Sequence, residues 1–120
     1  MRLSIAAPLC ALALAAAAGC GGGDDEGAAS DLTVTVHPQG QGGPARERHV
    51  SCDSGCGVRA RDLAPVPSDR ACAQVYGGPA TATVTGTLEG ERVDAAFKLT
   101  DACEIARWKR NAELLGKPPR

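Results

Sequence analysis

The hydrophobic and polar positions of residues 80–99 alternate with a period of two. Glu89-Gly90 interrupts the alternation halfway. Period two places alternate side chains on opposite faces of a strand, and a glycine-containing pair between two such runs is typical of a hairpin turn. The sequence therefore predicts an antiparallel hairpin with a threonine-rich outer face, and a close backbone approach or a bulge at Gly86. Its predicted inward positions are Ala80, Ala82, Val84, Gly86, Leu88, Val93, Ala95, Phe97 and Leu99.

A second alternating region precedes the hairpin. Leu32, Val34 and Val36 alternate with polar residues, which predicts a half-buried strand. Residues 47–52 predict a shorter strand, and the glycine-rich residues 39–44 between them predict a loop. Two strands joined in this way most simply form antiparallel neighbours.

Three further segments carry weaker patterns. Residues 58–64 predict one or two helical turns that end before the prolines at 65 and 67. Residues 103–108 predict a final short strand, with Trp108 in the core. Residues 111–115 predict a helical turn that ends at Gly116.

The first nineteen residues have the pattern of an export signal. Arg2 provides a positive start, residues 3–18 form an apolar run rich in Ala and Leu, and small residues lead up to Cys20. The run is short for a membrane-spanning helix. Residues 1–19 are therefore predicted to be a signal peptide, and the rest of the chain to be secreted.

The end of this signal resembles a bacterial lipobox, in which cleavage leaves Cys20 as a lipid-carrying N-terminus. Cleavage by an ordinary signal peptidase within residues 16–19 is the alternative. Residues 20–30 are rich in Gly and acidic residues and have no apolar anchor, a composition typical of a flexible tether, which favours lipidation. The folded domain is predicted over residues 31–120, held at the outer face of the cell membrane only through the lipid on Cys20.

Composition narrows the class of protein. A chain of 120 residues holds one small domain. Its formal net charge of -1 provides no basic surplus for nucleic acid. Aromatic residues make up only 2% of the chain, so the core has few large side chains and cross-links are expected to support it. Beyond Cys20 the cysteines number four, which in an exported domain indicates two disulfides; they are Cys52, Cys56, Cys72 and Cys103.

Cys52 and Cys56 are separated by three residues. Such a pair can be a redox couple, half of a metal site or a small structural disulfide. Redox motifs of the thioredoxin type have two intervening residues, and no second cysteine pair or histidine cluster lies nearby, which favours the structural disulfide. A disulfide between Cys72 and Cys103 would tie the root of the glycine-ended loop 72–79 to the far end of the predicted hairpin.

The sequence lacks the residue combinations that enzymes need. His37 and His49 lie on or beside the first two predicted strands and are interpreted as exposed residues at strand ends. The acidic residues are scattered, and the sequence contains no phosphate-binding loop, nucleophile elbow or metal-ligand cluster. Neither catalysis nor a cofactor or metal is therefore expected.

Several motifs in order resemble the subtilisin inhibitor-like family of bacterial secreted proteins. They are Cys-x-x-Val-Tyr at 72–76, the alternating Ala-Thr-Val-Thr-Gly run at 82–86, Gly-x-Arg-Val at 90–93 and Cys-Glu at 103–104. Leu-Thr-Val at 32–34 and the strand that ends in Cys52 fit the family's opening strands. The resemblance extends over most of residues 31–108 and is strongest over residues 70–108.

The resemblance implies a fold, an activity and a site. The fold would be α+β, an antiparallel sheet of about five strands with one or two short helices, in a protein that often forms homodimers through the sheet. The activity would be inhibition of subtilisin-like or other serine proteases, with Gln74–Val75 as the scissile bond. The loop that contacts the protease would comprise Ala71, Cys72, Ala73, Gln74, Val75 and Tyr76.

Two other hypotheses are compatible with the sequence. One is a non-inhibitory envelope lipoprotein that uses the sheet or its threonine face for protein interaction, in which case the chain inhibits no protease and is indifferent to substitution at Gln74. The other is a redox or metal role of Cys52 and Cys56, which requires a thiol of low pKa or stoichiometric metal.

Overall fold

The computed structural model describes residues 29–119. The predicted signal peptide, Cys20 and most of the predicted tether lie outside these residues. No helix between residues 29 and 119 has the length and apolar character needed to cross a membrane. Along the chain the elements are β1 (Ser30–His37), β2 (Arg46–Cys52), α1 (Ala60–Leu63), β3 (Thr81–Leu88), β4 (Glu91–Phe97), α2 (Ala102–Arg110) and α3 (Ala112–Leu115).

The strands form one antiparallel sheet in the order β2-β1-β3-β4. The register brings the inward positions of neighbouring strands together, because Val34 pairs with Val84 and Val84 pairs with Ala95. The predicted pairing of the first two strands is confirmed, as is the predicted hairpin, whose turn lies at residues 89–90. Both follow from the period-two pattern, which buries one face of β1, β3 and β4, whereas on β2 Val50 and Cys52 are only partly buried.

One face of the sheet packs against the three helices, so the domain has two layers. Trp108 of α2 is 0% exposed and donates its Nε1–H to the Gly116 carbonyl at 2.9 Å, which confirms its predicted place in the core. The other buried hydrophobic residues are Leu32, Val34, Leu63, Ala80, Ala82, Val84, Leu88, Ala95, Phe97, Leu99, Leu114 and Leu115.

The opposite face of the sheet carries rows of threonines. Thr33 lies opposite Thr85, and Thr35 lies opposite Thr83, so that the side chains of β1 and β3 form a polar surface. The α+β class is thus confirmed, with four strands instead of about five and with three short helices between residues 29 and 119.

The predicted strand over residues 103–108 is wrong, because these residues belong to helix α2. Asp101 caps the helix by accepting the Glu104 amide proton at 2.9 Å, the pairing that an acidic N-cap residue makes with the third helical residue. Ile105 and Trp108, three residues apart, then share the face that packs on the sheet. Helical spacing therefore satisfies the apolar residues that suggested a strand, and the sheet has no fifth strand here.

Gly86 is the point of close backbone approach that the sequence predicted. Its φ of 128° lies in a region that side chains rarely adopt. A Cβ at this position would collide with the carbonyl oxygen of Asp31 on β1. The two central strands can therefore pair here only because residue 86 has no side chain.

Candidate functional site

The predicted protease-contacting loop connects the turn at residues 67–70 to β3 and has no regular secondary structure. Of its six predicted residues only Cys72 is partly covered, and the other five are exposed. Val75 is 50% exposed and Tyr76 is 69% exposed. In the part of the chain that the structure describes, these two are the large hydrophobic side chains classed as exposed, and they are neighbours in the loop.

A disulfide fixes the N-terminal side of this loop. Cys72 is bonded to Cys103, with 5.5 Å between their Cα atoms, which confirms the pairing expected from the sequence. Cys103 lies in the first turn of α2, not on a strand. The loop is therefore attached to the start of a helix that itself packs against the sheet.

Two backbone hydrogen bonds fix the loop on either side of its centre. The Ala73 carbonyl accepts the Ala102 amide proton at 3.0 Å, next to the disulfide. The Gly77 amide donates to the Leu99 carbonyl at 2.7 Å, where the chain descends toward β3. Residues 74–76 form an arch between these two anchors.

Within the arch, the backbone turns tightly at Gln74. The Val75 amide donates to the Ala73 carbonyl at 2.9 Å, so the same carbonyl accepts one proton from the arch and one from α2. The Gln74 side chain folds back and places its Nε2 at 3.4 Å from the Cys72 carbonyl. In the described structure the Gln74 and Tyr76 amides and the carbonyls of residues 74–76 have no backbone partner, so they are available to another molecule.

Gly77 lets the C-terminal end of the arch pack closely on the domain. A Cβ at residue 77 would lie 2.9 Å from Cδ1 of Ile105 and 3.2 Å from Cβ of Leu99. Ile105 belongs to α2, the helix that also carries Cys103. Both ends of the arch therefore rest on the same helix.

The buried Arg107 helps to hold this helix in place, and the sequence interpretation did not predict it. Arg107 is 2% exposed and lies with its Cζ 4.1 Å from the centre of the Phe97 ring. Its terminal nitrogens donate to the carbonyls of Ala96 at 2.7 Å and Leu63 at 2.6 Å, so one side chain joins α2 to β4 and α1. The helical spacing of Asp101, Glu104 and Arg107, each three residues apart, was the available signal for it.

The second predicted disulfide lies elsewhere, at the end of β2. Cys52 and Cys56 are bonded, with 5.4 Å between their Cα atoms, which confirms the predicted disulfide. Around the other disulfide, a carboxylate oxygen of Asp101 lies within 4.8 Å of both sulfurs. Those sulfurs are bonded to each other, so in the oxidised protein neither is the thiolate that a metal would need.

The two histidines lie on the sheet. His49 is on β2 and exposed, with its Nδ1 at 3.1 Å from the Thr33 hydroxyl and its Nε2 at 3.8 Å from a Glu47 carboxylate oxygen. His37 is the last residue of β1 and is partly covered. Neither is among the residues that hold the loop.

No loop residue lines either of two clefts on the described surface. One, of about 490 Å³, lies between β1, β2 and residues 115–119, and the other, of about 370 Å³, lies beside β4 and α2. The loop, in contrast, exposes its side chains.

The chain matches no protein-family model, no curated protein and no solved structure. The resemblance to the subtilisin inhibitor-like family therefore stays a prediction that depends on the motifs quoted above. The geometry of the loop is the independent basis on which a function can be argued.

Proposed function

We propose that this protein inhibits a serine protease by presenting residues 71–76 as a substrate, with Gln74–Val75 as the reactive bond. The observation that carries this proposal is an exposed arch of three residues anchored at both ends. The disulfide and the Ala73 carbonyl hold one end, and the Gly77 amide holds the other. Flexible peptides lose more conformational freedom on binding than such a loop does.

The free backbone groups of the arch are what a protease needs in order to bind it. Serine proteases hold a substrate in extended form and make backbone hydrogen bonds to it, as a strand adds to the edge of a sheet. The Gln74 amide and the Gln74 carbonyl have no backbone partner among residues 29–119. The arch thus offers them to the enzyme while its ends stay fixed.

The anchors also explain why cleavage would have little net effect. If the catalytic serine attacks the Gln74 carbonyl, the bond to Val75 breaks and the new amine is the Val75 nitrogen. Val75 is two residues from the anchored Gly77, and Gln74 is two residues from the anchored Cys72. Both new ends stay close, so the amine can attack the acyl-enzyme and reform the peptide bond.

The same proposal includes the place where the protein acts. Two disulfides suit an oxidising compartment, which supports export of the chain. A lipid on Cys20 followed by the acidic tether would hold the domain at the outer face of the cell membrane, where it meets extracellular proteases. Without the lipid, the same domain is secreted.

A titration against a panel of proteases tests the inhibitor function. The full chain, produced in an exporting host and purified with both disulfides closed, is added to active-site-titrated subtilisin-like, trypsin-like and glutamyl-specific proteases. We expect one-to-one loss of activity of at least one protease, with slow cleavage at Gln74–Val75 detected by fragment sequencing. Full activity of every protease, or rapid and complete digestion at that bond, contradicts the proposal.

Proline substitutions provide a matched pair of variants. Gln74→Pro removes an amide that has no backbone partner among the described residues, so the fold is expected to persist while inhibition weakens by about 100-fold or more. Ser68→Pro is the control, because residue 68 is the second residue of the exposed turn in which the Arg70 amide donates to the Pro67 carbonyl. Proline suits that position of a turn, so this variant is expected to inhibit like the unmodified protein.

The threonine surface of the sheet favours a second candidate, the non-inhibitory envelope lipoprotein. The facing pairs Thr33–Thr85 and Thr35–Thr83 form an extended polar surface on which the described residues place no helix. A protein that works through this surface would lose its partner when Thr83 and Thr85 are replaced by Lys. It would not respond to Gln74→Pro.

A further inference from the structure

The large exposed apolar side chains of the loop lie on one side of the proposed reactive bond. On the N-terminal side, the exposed residues Ala71 and Ala73 carry only methyl groups, and the Cys72 side chain is bonded to Cys103. On the C-terminal side, Val75 is half exposed and Tyr76 is more than two-thirds exposed. Burial of apolar area is the main source of binding free energy, so the two sides of the bond are unequal.

The position of Gly77 explains why Tyr76 extends away from the domain. The chain turns down onto Ile105 and Leu99 immediately after Tyr76, and a Cβ at residue 77 would lie only 2.9 Å from Cδ1 of Ile105. Tyr76 is thus the last residue of the arch before the anchor. An anchored backbone with an exposed aromatic side chain is typical of the residues that dominate protein interfaces.

Gln74 makes a weaker contribution by comparison. Its side chain is a neutral carboxamide that already contacts the Cys72 carbonyl within the loop. On entering the primary specificity pocket of a protease, it would exchange this contact and its hydration for hydrogen bonds of similar strength. The net gain at this position is therefore small.

We infer that the loop binds its protease mainly through the residues that follow the reactive bond, with Tyr76 as the anchor in an apolar pocket for the second residue after the bond. This inference rests on the proposed function and specifies the partner. The partner is a serine protease with a primary pocket that tolerates a neutral carboxamide and with an apolar subsite on its leaving-group side.

Side-chain truncations on the two sides of the bond test this inference. Inhibition constants are measured for the full-length oxidised protein and for its Gln74→Ala and Tyr76→Ala variants, against the protease that the unmodified protein inhibits best in the panel. We expect Tyr76→Ala to weaken inhibition by about 30-fold or more, as loss of a dominant interface residue does. Gln74→Ala removes one set of neutral hydrogen bonds and is expected to weaken it by about 2- to 10-fold.

Two controls separate recognition from folding and from polar contacts. Tyr76→Phe keeps the ring and is expected to inhibit within about 3-fold of the unmodified protein, because the pocket is apolar. Arg92→Ala, on β4 and outside the loop, is expected to have no effect on inhibition. The thermal midpoint of each variant is measured, and since residues 74 and 76 are exposed we expect all of them to melt like the unmodified protein.

The outcomes separate this inference from the function on which it rests. If the unmodified protein inhibits no protease, both are overturned. If it inhibits but Gln74→Ala costs as much as Tyr76→Ala or more, only this inference fails and recognition lies in the primary pocket. If Tyr76→Phe is as damaging as Tyr76→Ala, the anchor is the hydroxyl group and the apolar subsite is wrong.

Discussion

The sheet and the proposed protease-contacting loop are stabilised by different kinds of interaction. In the sheet, side chains such as Leu32, Val34 and Val84 are each no more than 1% exposed, and each is supported by neighbours on adjacent strands. The loop has hardly any buried side chain and depends on a few anchors: the Cys72–Cys103 disulfide, the Ala73 carbonyl and the Gly77 amide. Defects in the sheet should therefore unfold the domain, whereas defects in the anchors should disable the loop first.

This difference suits the proposed function. Ordering a residue costs about 1–2 kcal/mol of backbone entropy, and the exposed side chains of the arch bury too little apolar surface to offset that cost. Its anchors are attached to α2 and to Leu99, which lies between β4 and α2. The sheet supports both of these segments. The loop can stay exposed because the rest of the domain holds it.

The largest expected effect is a break in the sheet, at Gly86. Gly86→Ala places a Cβ against the Asp31 carbonyl and forces alanine to a φ of 128°. Because backbone atoms of a paired strand cannot move aside, we expect a loss of about 4 kcal/mol or more in the free energy of unfolding. Urea denaturation followed by circular dichroism measures it.

Gly42→Ala is the matched control for this prediction. Gly42 also has a positive φ, of 88°, but an added Cβ there would meet nothing within 4 Å. It isolates the cost of the backbone conformation, which is about 1 kcal/mol. Equal effects of the two substitutions would show that the close contact between β1 and β3 is not what requires glycine at position 86.

The sequence predicted the elements whose signals are local and repeated, and it failed where the signals were weaker. The strands, the hairpin and Gly86 were predictable because a period of two and a turn pair are local signals that the buried face of the sheet reinforces. Helix α2 was mistaken for a strand, although Ile105 and Trp108, three residues apart, would lie on opposite faces of a strand. The cap formed by Asp101 and Glu104 and the three-residue spacing from Ile105 to Trp108 were the stronger signals.

The place of the exposed loop could be predicted from the sequence, but the contacts that hold the loop could not. The cysteines at 72 and 103 indicated where the loop begins and what it is tied to, and the disulfide is confirmed. The hydrogen bonds of Ala73 and Gly77 join residues 22 or more positions apart and use backbone atoms, so no side-chain pattern encodes them. The buried Arg107 was missed because its three-residue spacing from Glu104 is a signal only if this segment is a helix, and the segment was predicted to be a strand.

The next effect in size is the loss of the loop's disulfide. Cys72→Ala combined with Cys103→Ala opens a link with a sequence separation of 31 residues, for which the chain-entropy account gives about 3–4 kcal/mol of stability. We also expect the arch to become an ordinary substrate that is cut rapidly at Gln74–Val75. Urea denaturation and time-resolved fragment sequencing with the inhibited protease measure the two effects.

Cys52→Ala combined with Cys56→Ala is the control for this prediction. This disulfide has a sequence separation of only 4 residues, so its removal should cost about 2 kcal/mol or less and leave the inhibition constant unchanged. If removing either disulfide weakened inhibition equally, the loop would depend on overall stability and not on its own anchor.

The smallest expected effect is at the other end of the arch, where Gly77 packs on α2. The φ of Gly77 is not positive, so alanine can adopt the same backbone conformation. Only the close contacts of the added Cβ with Ile105 and Leu99 disfavour the substitution. Because the end of a side chain can move aside, Gly77→Ala should cost about 1 kcal/mol of stability. It should weaken inhibition by about 10-fold, since Tyr76 is displaced with the anchor.

A second substitution tests whether this contact is the cause. Ile105→Val removes the Cδ1 atom that a Cβ at residue 77 would approach to 2.9 Å, and alone it should cost about 1 kcal/mol. Combined with Gly77→Ala, it should restore part of the inhibition, because the space that the new methyl group needs becomes free. If the effects of the two substitutions on inhibition simply add, the contact between residues 77 and 105 does not determine the position of Tyr76. The hydrogen bond from the Gly77 amide to the Leu99 carbonyl then holds Tyr76 in place without help from this packing.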